Sequence, residues 1–174
     1  MKQQSRTEAG NGVLVLNTGG TFNKRYDPIR GELFVPEDNL AVESVLAEFC
    51  GNLACRVQGL LYKDSLEMTE DDRALMAQAI HAAAETRVLV VHGTDTMHLS
   101  AAFLAGACPE KRIVLSGAML PYALGAQEAA MNFALSMGWL LAGDAPGIYV
   151  GMHGLALPYT QIVKDRQNGV FRPV

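Results

Sequence analysis

The sequence predicts an α/β fold, a mostly parallel sheet with helices on both faces, and three observations predict it. Short apolar runs such as Val13–Leu16 and Val88–Val91 have the length and all-round apolarity of strands covered on both sides. Segments with helical spacing alternate with these runs, the mark of right-handed βαβ units. Glycines and small polar residues fall just past the strand ends, where an open sheet of this class keeps its ligand crevice.

Val13–Leu16, bounded by Gly12 and the polar Asn17-Thr18, is the first strand, and Gly19 and Gly20 follow at once. The residues before it, 1–12, are polar and lack the apolar centre of a secretory signal, so a flexible tail is expected there. After a loop carrying Tyr26, Pro28 and Gly31, the segment Asp38–Phe49 spaces Leu40, Val42, Val45, Leu46 and Phe49 at helical intervals. Asp38 or Asn39 is its expected cap.

Leu53–Tyr62 is rich in strand formers and ends at Lys63-Asp64-Ser65. Thr69 then caps a second helix, with Glu70, Asp71 and Asp72 in the first turn where the helix dipole favours acids. Its expected apolar stripe is Leu75, Met76, Ala79, Ile80 and Ala83, with His81 beside it in a structural role. Val88–Val91 delivers His92-Gly93-Thr94-Asp95 before the small-residue helix Leu99–Ala107. Ile113–Leu115 delivers Ser116-Gly117, Glu128–Leu141 forms another helix, and Ile148–Val150 is the fifth strand, followed by Met152-His153-Gly154.

The 174 residues, 49% hydrophobic and 18% charged with a net charge of -4, suit one globular domain over 13–174 with a core of its own. No extended basic tract is present to follow a nucleic acid. No apolar run reaches the ~20 residues of a membrane-spanning helix, and a cytoplasmic protein is expected. Cys50, Cys55 and Cys108 are odd in number and lack CxxC spacing, so buried thiols are expected rather than disulfides or a zinc site.

Thr18 and Thr21, Asp64 and Ser65, Thr94 and Asp95, and Ser116 all lie just past strand ends, and adjacent strands would gather them at one edge. Such a group suits a small polar ligand. A threonine hydroxyl is a poor nucleophile until its proton is removed, so Thr21 and Thr94 need a base or a lysine relay. Lys164, the one lysine late in the chain, can supply it with Asp95, forming a Thr94, Asp95, Lys164 relay. Spacing alone leaves open a solvated lysine with two capping side chains. Gly20 and Gly93 precede the two threonines and let backbone N–H groups approach an oxyanion. A phosphate cradle is the rival, but neither GxGxxG nor GxxxxGK[ST] is present.

Val15-Leu16-Asn17-Thr18-Gly19-Gly20-Thr21 and Val90-Val91-His92-Gly93-Thr94-Asp95-Thr96-Met97 resemble the two signature motifs of the bacterial-type L-asparaginases. Asp64-Ser65 with Met68-Thr69, Ser116-Gly117-Ala118-Met119-Leu120-Pro121, and Lys164 extend the resemblance over nearly the whole chain from Val13. It implies the fold of the asparaginase N-terminal domain and hydrolysis of L-asparagine to L-aspartate and ammonia, with no metal or organic cofactor. Thr21 is implied as the nucleophile that forms an acyl-enzyme, and Tyr26 as an activating hydroxyl on a mobile loop. Thr94, with Lys164 and Asp95, is implied as the second catalytic group. Ser65 would hold the substrate α-carboxylate and Asp95 its α-ammonium, with Gly20, Leu66, Glu67, Gly93 and Ala118 completing the pocket. A homodimer or homotetramer is implied as well.

Two departures stand out. The chain stops at Val174, about where the family's smaller second domain begins, so a short single-domain form is expected, its acidic group replaced by Glu67 or by a partner chain. Leu66 follows Ser65 where many relatives carry glutamine. A glutaminase or broader amidase, and a non-catalytic amino-acid-binding domain, are the alternative readings.

Overall fold

The computed structural model describes residues 12–51 and 53–174. The tail expected over 1–12 therefore lies, apart from Gly12, outside the described residues. In chain order the elements are β1 (Val13–Gly19), β2 (Arg25–Asp27), β3 (Glu32–Phe34), α1 (Leu40–Ala47), β4 (Cys55–Lys63), α2 (Glu70–Ala82) and β5 (Arg87–Val91). They continue with α3 (Met97–Ala107), β6 (Arg112–Ser116), α4 (Ala126–Leu141), β7 (Gly147–Met152), β8 (Leu155–Pro158), β9 (Ile162–Asp165) and β10 (Val170–Pro173).

The main sheet has the order β4-β1-β5-β6-β7-β8, parallel throughout except for β8, which turns back antiparallel on β7. The chain leaves β1 towards β4 and returns to β5 on β1's other side. That reversal opens a crevice beyond the carboxyl ends of β1 and β5, the usual ligand position in doubly wound sheets. The two threonine segments follow these two strands.

Alternate residues of each central strand face opposite layers. Leu14, Leu16, Val88, Val90, Ile113 and Leu115 pack with Met76 and Ile80 of α2 and Met97, Ala101 and Leu104 of α3. Val13, Val15, Leu89, Val91 and Val114 pack with Val42 and Val45 of α1 and Phe133 and Met137 of α4. Helices thus cover both faces, and each buried aliphatic side chain contributes about 1.5 to 3 kcal/mol of transfer free energy. Thr69 caps α2 in a reciprocal box with Asp72, as the sequence leads one to expect.

Several expectations need correction. Leu75 lies exposed, and the inward face of α2 is Arg73, Met76, Ala77 and Ile80, the regular i, i+3, i+4, i+7 set. Arg73 can sit there because the Ser100 hydroxyl and the Met68 carbonyl accept its N–H groups. Cys50 is exposed and Cys55 only half-buried, while Cys108 is buried, which pushes its thiol up to about 11. His81 faces outward and pairs with Glu110 at 3.3 Å. The loop expected to carry Tyr26 is the hairpin β2–β3, and the strand–helix alternation ends after β7 in β8 and the hairpin β9–β10. Among the described residues no helix is long and apolar enough to cross a membrane.

Candidate active site

Backbone contact between the turns after β1, β4, β5 and β6 builds the crevice. Gly20 has φ 73°, and a Cβ there would stand 2.4 Å from the Gly93 nitrogen. A Cβ on Gly93 would in turn stand 2.6 Å from the Ser65 Oγ. Gly117, after β6, packs as closely on the His92 carbonyl. Gly20 N–H donates to the Lys63 carbonyl at 2.9 Å, and Thr96 Oγ1 donates to the Ser65 carbonyl at 2.7 Å. The sequence places glycine where these turns meet because a side chain would push them apart.

Two of the polar residues expected in the crevice instead staple the strands. Thr18 Oγ1 donates to the Val91 carbonyl and Ser116 Oγ to the Gly151 carbonyl, both at 2.8 Å and both buried. Asp64 caps the 3-10 turn Ser65–Glu67 by accepting from Leu66 N–H and pairs with Lys24. Burial opposes the Asp64 charge, but Lys24 and the Leu66 N–H outweigh it and hold the carboxyl below its usual range. An Asn17–Asn23 side-chain pair, joined in both directions at 3.1 and 2.9 Å, fixes the turn that carries Thr21.

Thr94 is buried, and its Oγ1 accepts from Lys164 Nζ at 2.8 Å and donates to Met119 Sδ at 3.4 Å. The same ammonium donates to Asp95 Oδ1 at 2.9 Å. Lys164 is therefore no solvated lysine, although it lies 70 residues from Thr94 in sequence. Arg166 adds a second cation to Asp95, with Nη1 3.1 Å from Oδ1 and Nη2 donating to the main-chain carbonyl at 2.9 Å. Nothing in the sequence pattern marks Arg166 for this role except its place two residues beyond Lys164.

Thr21 is half-buried, and its hydroxyl makes no hydrogen bond among the described residues. Ser65 and Ala118 are buried, Gly20 and Gly93 are buried, and Leu66 and Glu67 are exposed. Tyr26 stands on β2 opposite Leu33, half exposed, with no hydrogen bond to Thr21 among the described residues. A cavity of about 300 Å³ opens beside Thr94, Asp95, Lys164 and Arg166, and a second of about 360 Å³ beside Lys24, Asp64 and Glu67.

His92 is likewise more than the motif position that the sequence makes of it. It is fully buried, which lowers its pKa to about 4 and keeps the ring neutral. Nδ1 donates to the Gly93 carbonyl at 2.7 Å, and Nε2 accepts from Ser100 Oγ at 2.8 Å, leaving Ser100 to accept from Arg73. This network grips the turn that presents Thr94. No group of three or more His, Cys, Asp or Glu side chains converges as a metal site among the described residues.

Comparison with known proteins agrees with the fold. A glutamyl-tRNA(Gln) amidotransferase subunit of Archaeoglobus fulgidus is 30% identical over 148 residues, 82% of this chain and 34% of that protein. The corresponding protein of Methanococcus vannielii is 29% identical over 151 residues, again 82% of this chain and 34% of that protein. The chain thus spans about a third of the length of these curated relatives. The thermostable L-asparaginase of Thermococcus kodakarensis superposes with a TM-score of 0.80 at 23% identity, over 94% of this chain and 51% of that one. L-asparaginase I of Vibrio cholerae does so at 0.74 and 20%, over 95% and 52%. At these identities the likeness is one of fold. The family model described as asparaginase, N-terminal, matches residues 12–170, and the chain belongs to the asparaginase family through that domain.

Proposed function

We propose that the protein is an amidohydrolase that cleaves the side-chain amide of L-asparagine to L-aspartate and ammonia through a threonine acyl-enzyme. The observation that carries the reading is the Thr94, Lys164, Asp95 cluster, hydrogen-bonded at 2.8 and 2.9 Å at the end of β5, with a second threonine after neighbouring β1 whose hydroxyl makes no hydrogen bond among the described residues. Thr21 Oγ1 attacks the amide carbon, and N–H groups of the Gly20 and Gly93 turns stabilise the oxyanion. The proton that Thr21 loses passes to the amide nitrogen as the C–N bond breaks, ammonia leaves, and water then hydrolyses the ester, giving its hydroxyl to the acyl carbon and its proton to Thr21 Oγ1. Thr94 and Lys164 carry the proton, with Asp95 fixing the ammonium. Ser65 takes the α-carboxylate, and Asp95 Oδ2, to which neither cation donates a hydrogen bond, takes the α-ammonium. Tyr26 assists Thr21 from the hairpin, and Leu66, Glu67 and Ala118 line the pocket. The reaction uses no metal or organic cofactor, and the active form is a homodimer or homotetramer.

The amidotransferase subunits among the relatives favour a second reading, a glutaminase or broader amidase with the same nucleophile. Ammonia release from L-asparagine and L-glutamine by wild type, Thr21→Ala and Thr94→Ala tests both. Release from asparagine that both substitutions abolish supports the first reading, and a preference for glutamine supports the second. Tight binding of asparagine with no release by wild type leaves a non-catalytic amino-acid-binding domain.

A further inference from the structure

Lys164 reaches Thr94 because a distant hairpin holds it there, and a histidine tethers that hairpin. The register of β9 with β10 sets Phe171 opposite Lys164. Phe171 N–H turns outward and donates to His153 Nδ1 at 3.1 Å. An N–H can only donate, so Nδ1 is an acceptor and the ring proton lies on Nε2. Nε2 donates to Glu128 Oε1 at 3.1 Å. The His153 ring also meets the Phe171 ring edge-on, with centroids 5.8 Å apart. Asn132 Oδ1 fixes the His153 backbone by accepting its N–H at 2.9 Å.

The Glu128 carboxylate completes the connection. It accepts from Met119 N–H and Leu120 N–H, each at 2.9 Å, and Met119 Sδ is the atom to which Thr94 Oγ1 donates. The path runs from Thr94 through Met119, Glu128, His153 and Phe171 to Lys164, and closes on Thr94 again. Both partners of the relay hang on one carboxylate–imidazole pair, and neither Glu128 nor His153 touches the reacting groups.

We propose that Glu128 and His153 are positioning residues that set the distance between Lys164 Nζ and Thr94 Oγ1, a role that rests on the reading of Thr94 and Lys164 as catalytic. Among the described residues Glu128 is the charged group in contact with the His153 ring.

Two substitutions separate the acceptor from the bulk of the ring. His153 has φ 51°, a left-handed conformation that glycine adopts freely and asparagine tolerates well. His153→Gly removes the ring without backbone strain. His153→Asn places an amide oxygen near the position of Nδ1. We expect H153G to lower kcat about 10- to 100-fold, as for a small misplacement of catalytic groups, with KM within about threefold of wild type. Amide hydrogen exchange at Phe171, followed by NMR, accelerates in H153G. H153N recovers most of the lost kcat and slows that exchange again. An active wild type with H153G equal to it in kcat and in Phe171 exchange overturns the latch. So does equal impairment of H153G and H153N. A wild type that releases ammonia from no amide removes the catalytic reading and the positioning role with it, and the exchange data then judge the tether alone.

Discussion

Thr94 and Thr21 stand beyond neighbouring strands, yet their surroundings differ in kind. The Thr94 hydroxyl is buried, holds two hydrogen bonds, and shares Lys164 with a carboxylate that Arg166 also binds. The Thr21 hydroxyl is half-buried and uncommitted among the described residues, and the chain after it runs into a hairpin that exposes Tyr26, Ile29, Leu33 and Phe34. A group that holds and passes a proton needs fixed partners, whereas a group that attacks needs a free lone pair and room to move. The contrast divides the candidate site into a preorganised half on β5, β6 and β9 and a half on β1 and β2 that, in the proposed reaction, substrate would complete.

The largest effects should come from removing one group from each half. We expect Thr21→Ala and Lys164→Met each to lower kcat by about 10³-fold or more. Their stabilities should then part. T21A breaks no hydrogen bond among the described residues and should stay within about 0.5 kcal/mol of wild type in urea unfolding. K164M strips Thr94 and Asp95 of a largely buried partner and should cost about 1 to 2 kcal/mol, moderated because Arg166 remains on Asp95. Equal stability losses in the two variants would break the contrast.

Glycine at the junction of the halves gives the next test. Gly20→Ala combines a left-handed φ of 73° with a Cβ 2.4 Å from backbone nitrogen, whereas Gly31→Ala has the same kind of φ, 71°, and open space. The second isolates backbone strain, about 1 kcal/mol. G20A should cost about 3 kcal/mol or more and lower kcat about 100-fold, because two backbones cannot yield as a flexible side chain can. Similar stability losses in both variants would mean that the turns after β1 and β5 separate easily.

The central parallel strands β1, β5 and β6 were legible because each carries a run of apolar residues covered on both faces, a pattern that needs no knowledge of its partners. The turns were legible from glycine, since close backbone approach admits little else. What escaped was short or distant. β2, β3, β8, β9 and β10 are three or four residues long, too short for a period to declare itself. The partners of Lys164 and His153 are set by tertiary contacts across tens of residues, which local spacing does not encode. Thr18 and Ser116 misled for the converse reason: residues at strand ends can turn a hydroxyl to a neighbouring carbonyl as readily as to a ligand.

The halves should also answer differently to acid. The Thr94 turn rests on neutral His92, and the Thr21 turn on Asn17 and Asn23, which do not titrate. His92 has a pKa of about 4 in the fold against 6.5 for the free side chain. Between those values the unfolded chain binds more protons, so this contribution is present above pH 6.5 and is lost as pH falls towards 4, roughly 3 kcal/mol in all. Asp64 and Asp72 act lower: burial opposes their charge, Lys24 and Lys63 outweigh it, and their contribution disappears only through the carboxylate range. Urea unfolding of wild type and His92→Gln from pH 7 to 4.5 should show a decline that the variant lacks. Parallel curves would mean that His92 is not kept neutral and that the preorganised half does not depend on it.

The smallest effect should lie at Tyr26. Its side chain is about half exposed and makes no hydrogen bond to Thr21, so Tyr26→Phe should leave stability within about 0.5 kcal/mol. A hydroxyl that assists only after the hairpin moves adds to catalysis without belonging to the resting site. We therefore expect Y26F to slow acyl-enzyme formation by about tenfold or less and to leave hydrolysis of the ester, which in the proposed reaction relies on Thr94 and Lys164, nearly unchanged. Single-turnover measurement separates the two steps. If Y26F slowed formation as severely as T21A, Tyr26 would be as indispensable as the nucleophile, and the hairpin would have to be counted with the preorganised half of the site. If it slowed ester hydrolysis instead, the hairpin would serve the relay, and the two threonines could not be assigned to separate halves.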